Sequence, residues 1–130
     1  MRGASDHVIA NNNTFGIVAS GDNAAEIDVS LTNSVASNNS LYGVDSFSGG
    51  STVRASVDSS VMNTDGNAGL VISGAANVSL SRSVLDLNGG YGVHNAASGG
   101  GAFKSTGDNR IANNKVEDIF GPLPALEPLR

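Results

Sequence analysis

The chain repeats itself every 23 to 27 residues, and that period constrains its fold more than any other feature. Aligned on Val8, Val35, Val61, Val84 and Ile111, the units are 27, 26, 23 and 27 residues long. Columns that played no part in choosing the anchor then line up. Eight residues on stand Gly16, Gly43, Gly69 and Gly92, followed by Ile17, Val44, Leu70 and Val93. Just before the glycines runs a mostly aromatic column of Phe15, Tyr42, Ala68 and Tyr91. Four residues after the anchor come Asn12, Asn39, Asp65 and Asn88, displaced by one to Asn114 in the fifth unit. Ahead of the anchors, Ile27, Val29 and Leu31, then Val53, Ala55 and Val57, then Ala76, Val78 and Leu80 alternate with polar residues. A period of two marks strands with one buried face.

A unit this short cannot bury a core alone, so successive units must stack. About 25 residues hold three short strands and three turns. Asn and Asp tolerate left-handed backbone angles, so one per unit marks a tight turn. The glycine column marks a bend or a place crowded by the neighbouring coil. The reading is all-β: a right-handed parallel β-helix, a solenoid of about four to five coils, with like residues lying over like. Variable unit lengths argue against the left-handed hexapeptide helix. An antiparallel sandwich is the rival, but it does not require the same residue at the same place in every unit.

Composition agrees. Gly, Asn and Ser fill 50 of the 130 positions, a density that disfavours a helical bundle. There is no Cys, so a disulfide framework and a Cys-ligated zinc site are excluded. The net charge of −5 repels phosphate backbones and argues against nucleic-acid partners. No apolar run has the length of a membrane span. The coils are expected over 1–118. Residues 2–7 read as the end of a preceding coil, leaving an open N-terminal edge suited to end-to-end self-association. Residues 119–130, rich in Pro and Leu, read as a C-terminal cap in which Phe120, Leu123, Leu126 and Leu129 fold over the last coil, or as a tail.

The run Val35 to Val44, its counterpart Val84 to Val93, and the stretch Ile27 to Ser34 resemble bacterial right-handed parallel β-helix repeat proteins of pectate-lyase-like architecture. The closing stretch 99–114 resembles their final coil. The resemblance implies an extracytoplasmic, secreted setting and acidic polysaccharides as the ligands or substrates of the better-known relatives.

Candidate chemistry is sparse. Asn63-Thr64-Asp65-Gly66 matches a short polygalacturonase motif, but the Asp-Asp pair, Gly-His-Gly and Arg-Ile-Lys that accompany it there are missing. Asp65 reads more simply as one more member of the turn column. Strand alternation places Asp28, Arg54, Asn77 and Lys104 in one outward column and Thr32, Asp58, Ser81 and Asp108 in another. Asp28, Arg54 and Asp58 then form a cross-strand charge ladder rather than a calcium site. Between those columns lie Ser30, Ser56, Ser79 and Thr106, a hydroxyl row able to meet a sugar chain. Asp45 and His94 share an outward column with Val71 between, about 9.6 Å apart, too far for acid–base coupling. Alternation puts Tyr42 and Tyr91 on the inward side or at a corner. No Ser-His-Asp set, metal-ligand set or phosphate loop is found, and no cofactor is expected. The sequence thus points to a non-catalytic structural or carbohydrate-binding module, with Asp28, Ser30, Arg54, Ser56, Asp58, Ser79 and Thr106 as its binding face. The alternatives are a fragment of a polysaccharide lyase or hydrolase whose active coils are missing here and lie upstream, and an end-to-end assembly element.

Overall fold

The computed structural model describes residues 1–22 and 26–128. Over them the chain is a parallel β-solenoid of about four turns, without helix. Each turn visits three faces. Sheet one holds β1 (Arg2–Asp6), β3 (Glu26–Thr32), β5 (Thr52–Asp58), β7 (Asn77–Ser81), β10 (Ala102–Ser105) and β13 (Ala125–Leu126). Sheet two holds β2 (Phe15–Gly21), β4 (Tyr42–Ser48), β6 (Ala68–Gly74), β9 (Tyr91–Ala97) and β12 (Glu117–Phe120). The third face is narrower, with β8 (Val84–Asp86) on β11 (Arg110–Ala112) and single bridges linking Ile9, Val35, Val61 and Val84. Every pairing is parallel, because the chain returns to each face only after a complete turn.

Val35, Val61 and Val84 pile up as the repeat requires. The end members of that column differ from the sequence alignment. Ile9, not Val8, lies under Val35, and Arg110, not Ile111, lies over Val84. The anchor column is also not the core: Ile9 is 74% exposed, Arg110 is exposed, and Val35, Val61 and Val84 between them are half-buried. The residue after each anchor points inward, giving Ala36, Met62 and Leu85, all buried. With Val53, Val57, Val78 and Leu80 from sheet one and Leu70, Ile72 and Val93 from sheet two, they fill one continuous interior.

Two buried polar ladders run beside that interior. Where sheet one meets the third face, Ser34, Ser60 and Ser83 each bond a carbonyl two residues back and accept the backbone N–H of the preceding coil, from Val8, Ser34 and Ser60. Asn109 closes that ladder on Ser83 N–H at 2.8 Å. Where the third face turns into sheet two, Asn13, Asn39, Asp65, Asn88 and Asn114 form the other. Each backbone N–H from Asn13 to Asn88 donates to the side-chain Oδ1 of the next rung, at 2.8 to 3.1 Å. Asn13 therefore replaces Asn12 as the first rung, and the displacement at Asn114 disappears once Arg110 is the anchor. The left-handed angles belong to the residues just before the rungs: Asn12, Asn38, Thr64, Leu87 and Asn113 have φ between 55° and 62°. The Asn column is thus a side-chain ladder, and its neighbour makes the turn.

The glycine column follows from the ladder. A Cβ on Gly16 would lie 2.7 Å from Asn39 Nδ2, and one on Gly69 2.9 Å from Asn88 Nδ2. Only a residue without a side chain leaves room for the amide of the next coil. Differences in coil length collect mainly at the corner leaving sheet two, which runs from 48 to 52, from 74 to 77 and from 97 to 102 in successive coils.

The C-terminal segment differs from the expected plug. Phe120 continues sheet two over His94, and β13 adds to sheet one with Ala125 beside Lys104. Pro124 and Pro128 flank this strand rather than interrupt it, and Glu127 N–H still reaches Ser105 O at 2.8 Å. Leu123 and Leu126 are 77% and 79% exposed, so they do not enter the core. Leu129 lies outside the described residues.

Candidate binding face

The outer face of sheet one carries the residues singled out by alternation. Its register gives three outward columns. Arg2, Asp28, Arg54, Asn77 and Ala102 form the first; Ala4, Ser30, Ser56, Ser79 and Lys104 the second; Asp6, Thr32, Asp58 and Ser81 the third. Three sequence assignments change. Lys104 ends the serine column, Thr106 leaves it and lies instead past Ser105 at the level of Ser81, and Asp108 falls outside the third column, its Oδ1 accepting Arg82 N–H at 3.1 Å. The cause is corner length: β10 follows β7 at a spacing of 25 residues, so an equivalence drawn from the 27-residue anchor spacing overshoots by two.

Small side chains in the middle column leave a groove of about 740 Å³, with Ser30, Ser56 and Ser79 along its floor, Arg2, Asp28 and Arg54 on one side and Lys104 at its end. Successive hydroxyls stand one strand apart, about 4.8 Å. A smaller cleft of about 370 Å³ adjoins it, shares Ser56 and Ser79, and contains Asp58 and Thr106. All seven expected residues therefore line one or the other of two adjoining clefts.

The charges on this face are matched. Asp28 takes Arg54 at 3.0 Å and Arg2 at 3.5 Å, Arg54 also reaches Glu26 at 3.6 Å, and Lys104 meets Glu127 at 3.5 Å. Asp58 is not part of that ladder: it pairs with Arg82 and accepts the Ser81 hydroxyl at 2.7 Å. Burial alone would raise its pKa, but the bonds from Ser81 and Arg82 hold it below the ordinary carboxylate value. Asp108 is likewise held low, first by the Thr106 hydroxyl and then by the Arg82 N–H. Carboxylates tied up in this way stay ionised and are poor general acids. Among the described residues, no three His, Asp or Glu side chains converge as a metal ligand set.

The remaining candidates lie elsewhere. Asp65 is 1% exposed inside the Asn ladder, out of reach of any substrate. Asp45, Val71 and His94 do share the outer column of sheet two, and half-burial beside Val71 raises the Asp45 pKa. Tyr91 belongs outside, contrary to strict alternation: its ring stacks on Phe120 at 4.9 Å and lies 5.3 Å from the His94 ring. Gly92 and Val93 both face inward where the strand leaves the corner, and that doubling sends Tyr91 to the exterior. Tyr42 is half-buried and packs its ring 5.6 Å from Phe15. The serine ladder is missed by the column reading although it is written as Ser34-Val35, Ser60-Val61 and Ser83-Val84, a dipeptide at the three middle anchors.

Comparison with protein-family models, with curated proteins and with solved structures finds no match for this chain. No helix among the described residues is long and apolar enough to cross a membrane.

Proposed function

We propose that the chain is a non-catalytic, carbohydrate-binding solenoid module that holds an extended polysaccharide along the outer face of sheet one. The observation that carries this reading is the row Ser30, Ser56 and Ser79 at the floor of a groove, repeating at the strand spacing. A regular row of hydroxyls suits a polymer that is itself a regular row of hydroxyls, and polar groups placed in a cleft fix a sugar's orientation. The walls refine the ligand class. Each cation is already met by a carboxylate, so the groove favours an uncharged polysaccharide over a polyanion. The resemblance to pectate-lyase-like β-helix proteins supports the setting, a secreted protein that meets polysaccharide, without supplying a reaction.

The test is affinity electrophoresis through gels containing soluble xylan, β-glucan, galactomannan or polygalacturonate. Retardation by one of the neutral polymers is expected, and Ser56→Trp, which fills the groove from an exposed position, abolishes it while leaving the circular dichroism unchanged. Equal migration in all four gels, or retardation that survives Ser56→Trp, refutes the reading. Unsaturated ends appearing in the polygalacturonate would point instead to a lyase.

A further inference from the structure

The Asn ladder contains one rung of the wrong chemistry. Asn39, Asn88 and Asn114 use their amides in the same way: Nδ2 donates to the carbonyl of the inward residue one coil back, Ala10, Met62 and Leu85, at 3.1, 3.3 and 3.1 Å. Gly16, Gly69 and Gly92 make the space for those three amides. Asn13, the first rung, donates Nδ2 to Asn11 O instead, and at the rung between Asn39 and Asn88 the glycine is Gly43, the inward residue is Ala36 and the side chain is Asp65. A Cβ on Gly43 would lie 2.5 Å from Asp65 Oδ2 and 2.8 Å from Ala36 O, the same arrangement with an oxygen in place of the nitrogen. The other half of the side chain is well served, since Oδ1 accepts Asn39 N–H at 2.8 Å and Asn39 Nδ2 at 3.0 Å. Oδ2 is buried with no hydrogen-bond partner.

A carboxylate oxygen aimed at a carbonyl oxygen is repulsive, and an unpaired charge in this interior is costly. A carboxylic acid is neither, because its O–H is a donor. From this geometry we infer that Asp65 folds as the neutral acid, its Oδ2–H standing in for the asparagine amide against Ala36 O, and that its deprotonation weakens the seam between the second and third coils. The proton passes to solvent, and no other group need change. No charged side chain acts on this carboxyl. Among the described residues of the elements packed round it, Asp86 is paired with Arg110, while Tyr42, Asp45, Tyr91 and His94 lie on the outer side of sheet two. Burial pushes the Asp65 pKa up to about 6, against the opposing pull of the two Asn39 hydrogen bonds.

The sign follows from linkage. The folded value lies above the ordinary 3.8, so the contribution to stability is complete below 3.8 and is lost as the pH climbs to about 6. This holds whatever the outer face binds. The experiment is urea unfolding of the full chain and of Asp65→Asn from pH 4 to pH 8. Asn restores the common rung, so the variant should match the wild type near pH 4 and exceed its folding constant by roughly a hundredfold once the pH passes 6. An advantage that is the same at every pH, or a variant less stable than wild type at pH 8, overturns the inference. A second readout needs no variant: the Asp65 carboxyl carbon resonance of the folded protein should titrate well above 3.8, and a midpoint at or below that value also overturns it.

Discussion

At the scale of single residues, the fold is decided by what each inward position lacks as much as by what it holds. Gly43 faces Asp65 Oδ2, Gly69 O and Ala36 O at 2.5, 2.7 and 2.8 Å from where a Cβ would sit, and two of these are backbone atoms that cannot swing away. Gly43→Ala should therefore cost about 3 kcal/mol, read as a lowered urea midpoint. Gly3 has nothing within 4 Å, and Gly3→Ala should leave that midpoint within about 0.5 kcal/mol of wild type. The side-chain ladders make the complementary demand. Asn88 accepts Asp65 N–H and donates to Met62 O, both in the buried interior. Asn88→Leu would orphan those two backbone groups, and a loss of about 2–4 kcal/mol is expected in the same assay.

At the scale of elements, the distinction between anchor and core has a measurable consequence. Val61 is half-buried on the third face, while Met62 is fully buried. Met62→Ala should cost about 2–5 kcal/mol, whereas Val61→Thr should cost less than about 1 kcal/mol. Most of this architecture was legible in the sequence, because stacking in register forces like over like and leaves columns on the page. Val35, Val61 and Val84, the glycine column and the alternation in sheet one were all read correctly. What was not legible came from corners. A column shows that residues coincide, not which side they face, so the anchor valines stand out in the sequence while the buried Ala36, Met62 and Leu85 beside them do not. Alternation carried Tyr91 inward because it cannot register two consecutive inward residues at a bend. One irregular corner moved Thr106 and Lys104 by a column. On the outer face of sheet one, the residues expected to share a surface do line adjoining clefts, but alternation misses the partner of Asp58: Arg82 lies on a turn, outside any strand periodicity.

At the scale of the whole molecule, a solenoid has contacts only between neighbouring coils, so its stability is graded along the axis rather than shared evenly. The strands from Val53 to Leu85 contribute the most fully buried side chains, and β1 is exposed throughout. Native-state hydrogen exchange should be slowest in β5, β6 and β7 and fastest in β1 and β13; uniform protection would contradict a nearest-neighbour architecture. The corner leaving sheet two stands apart from this gradient. Gly99 and Gly100 both have positive φ where it runs from 97 to 102, and nothing stands within 4 Å of where a Gly100 side chain would begin. The chain already changes length there from coil to coil while both ladders stay in step. A foreign peptide spliced between Gly99 and Gly100 would be displayed on a scaffold that does not register its arrival, which makes this bend a natural mounting point for epitopes or reporter tags.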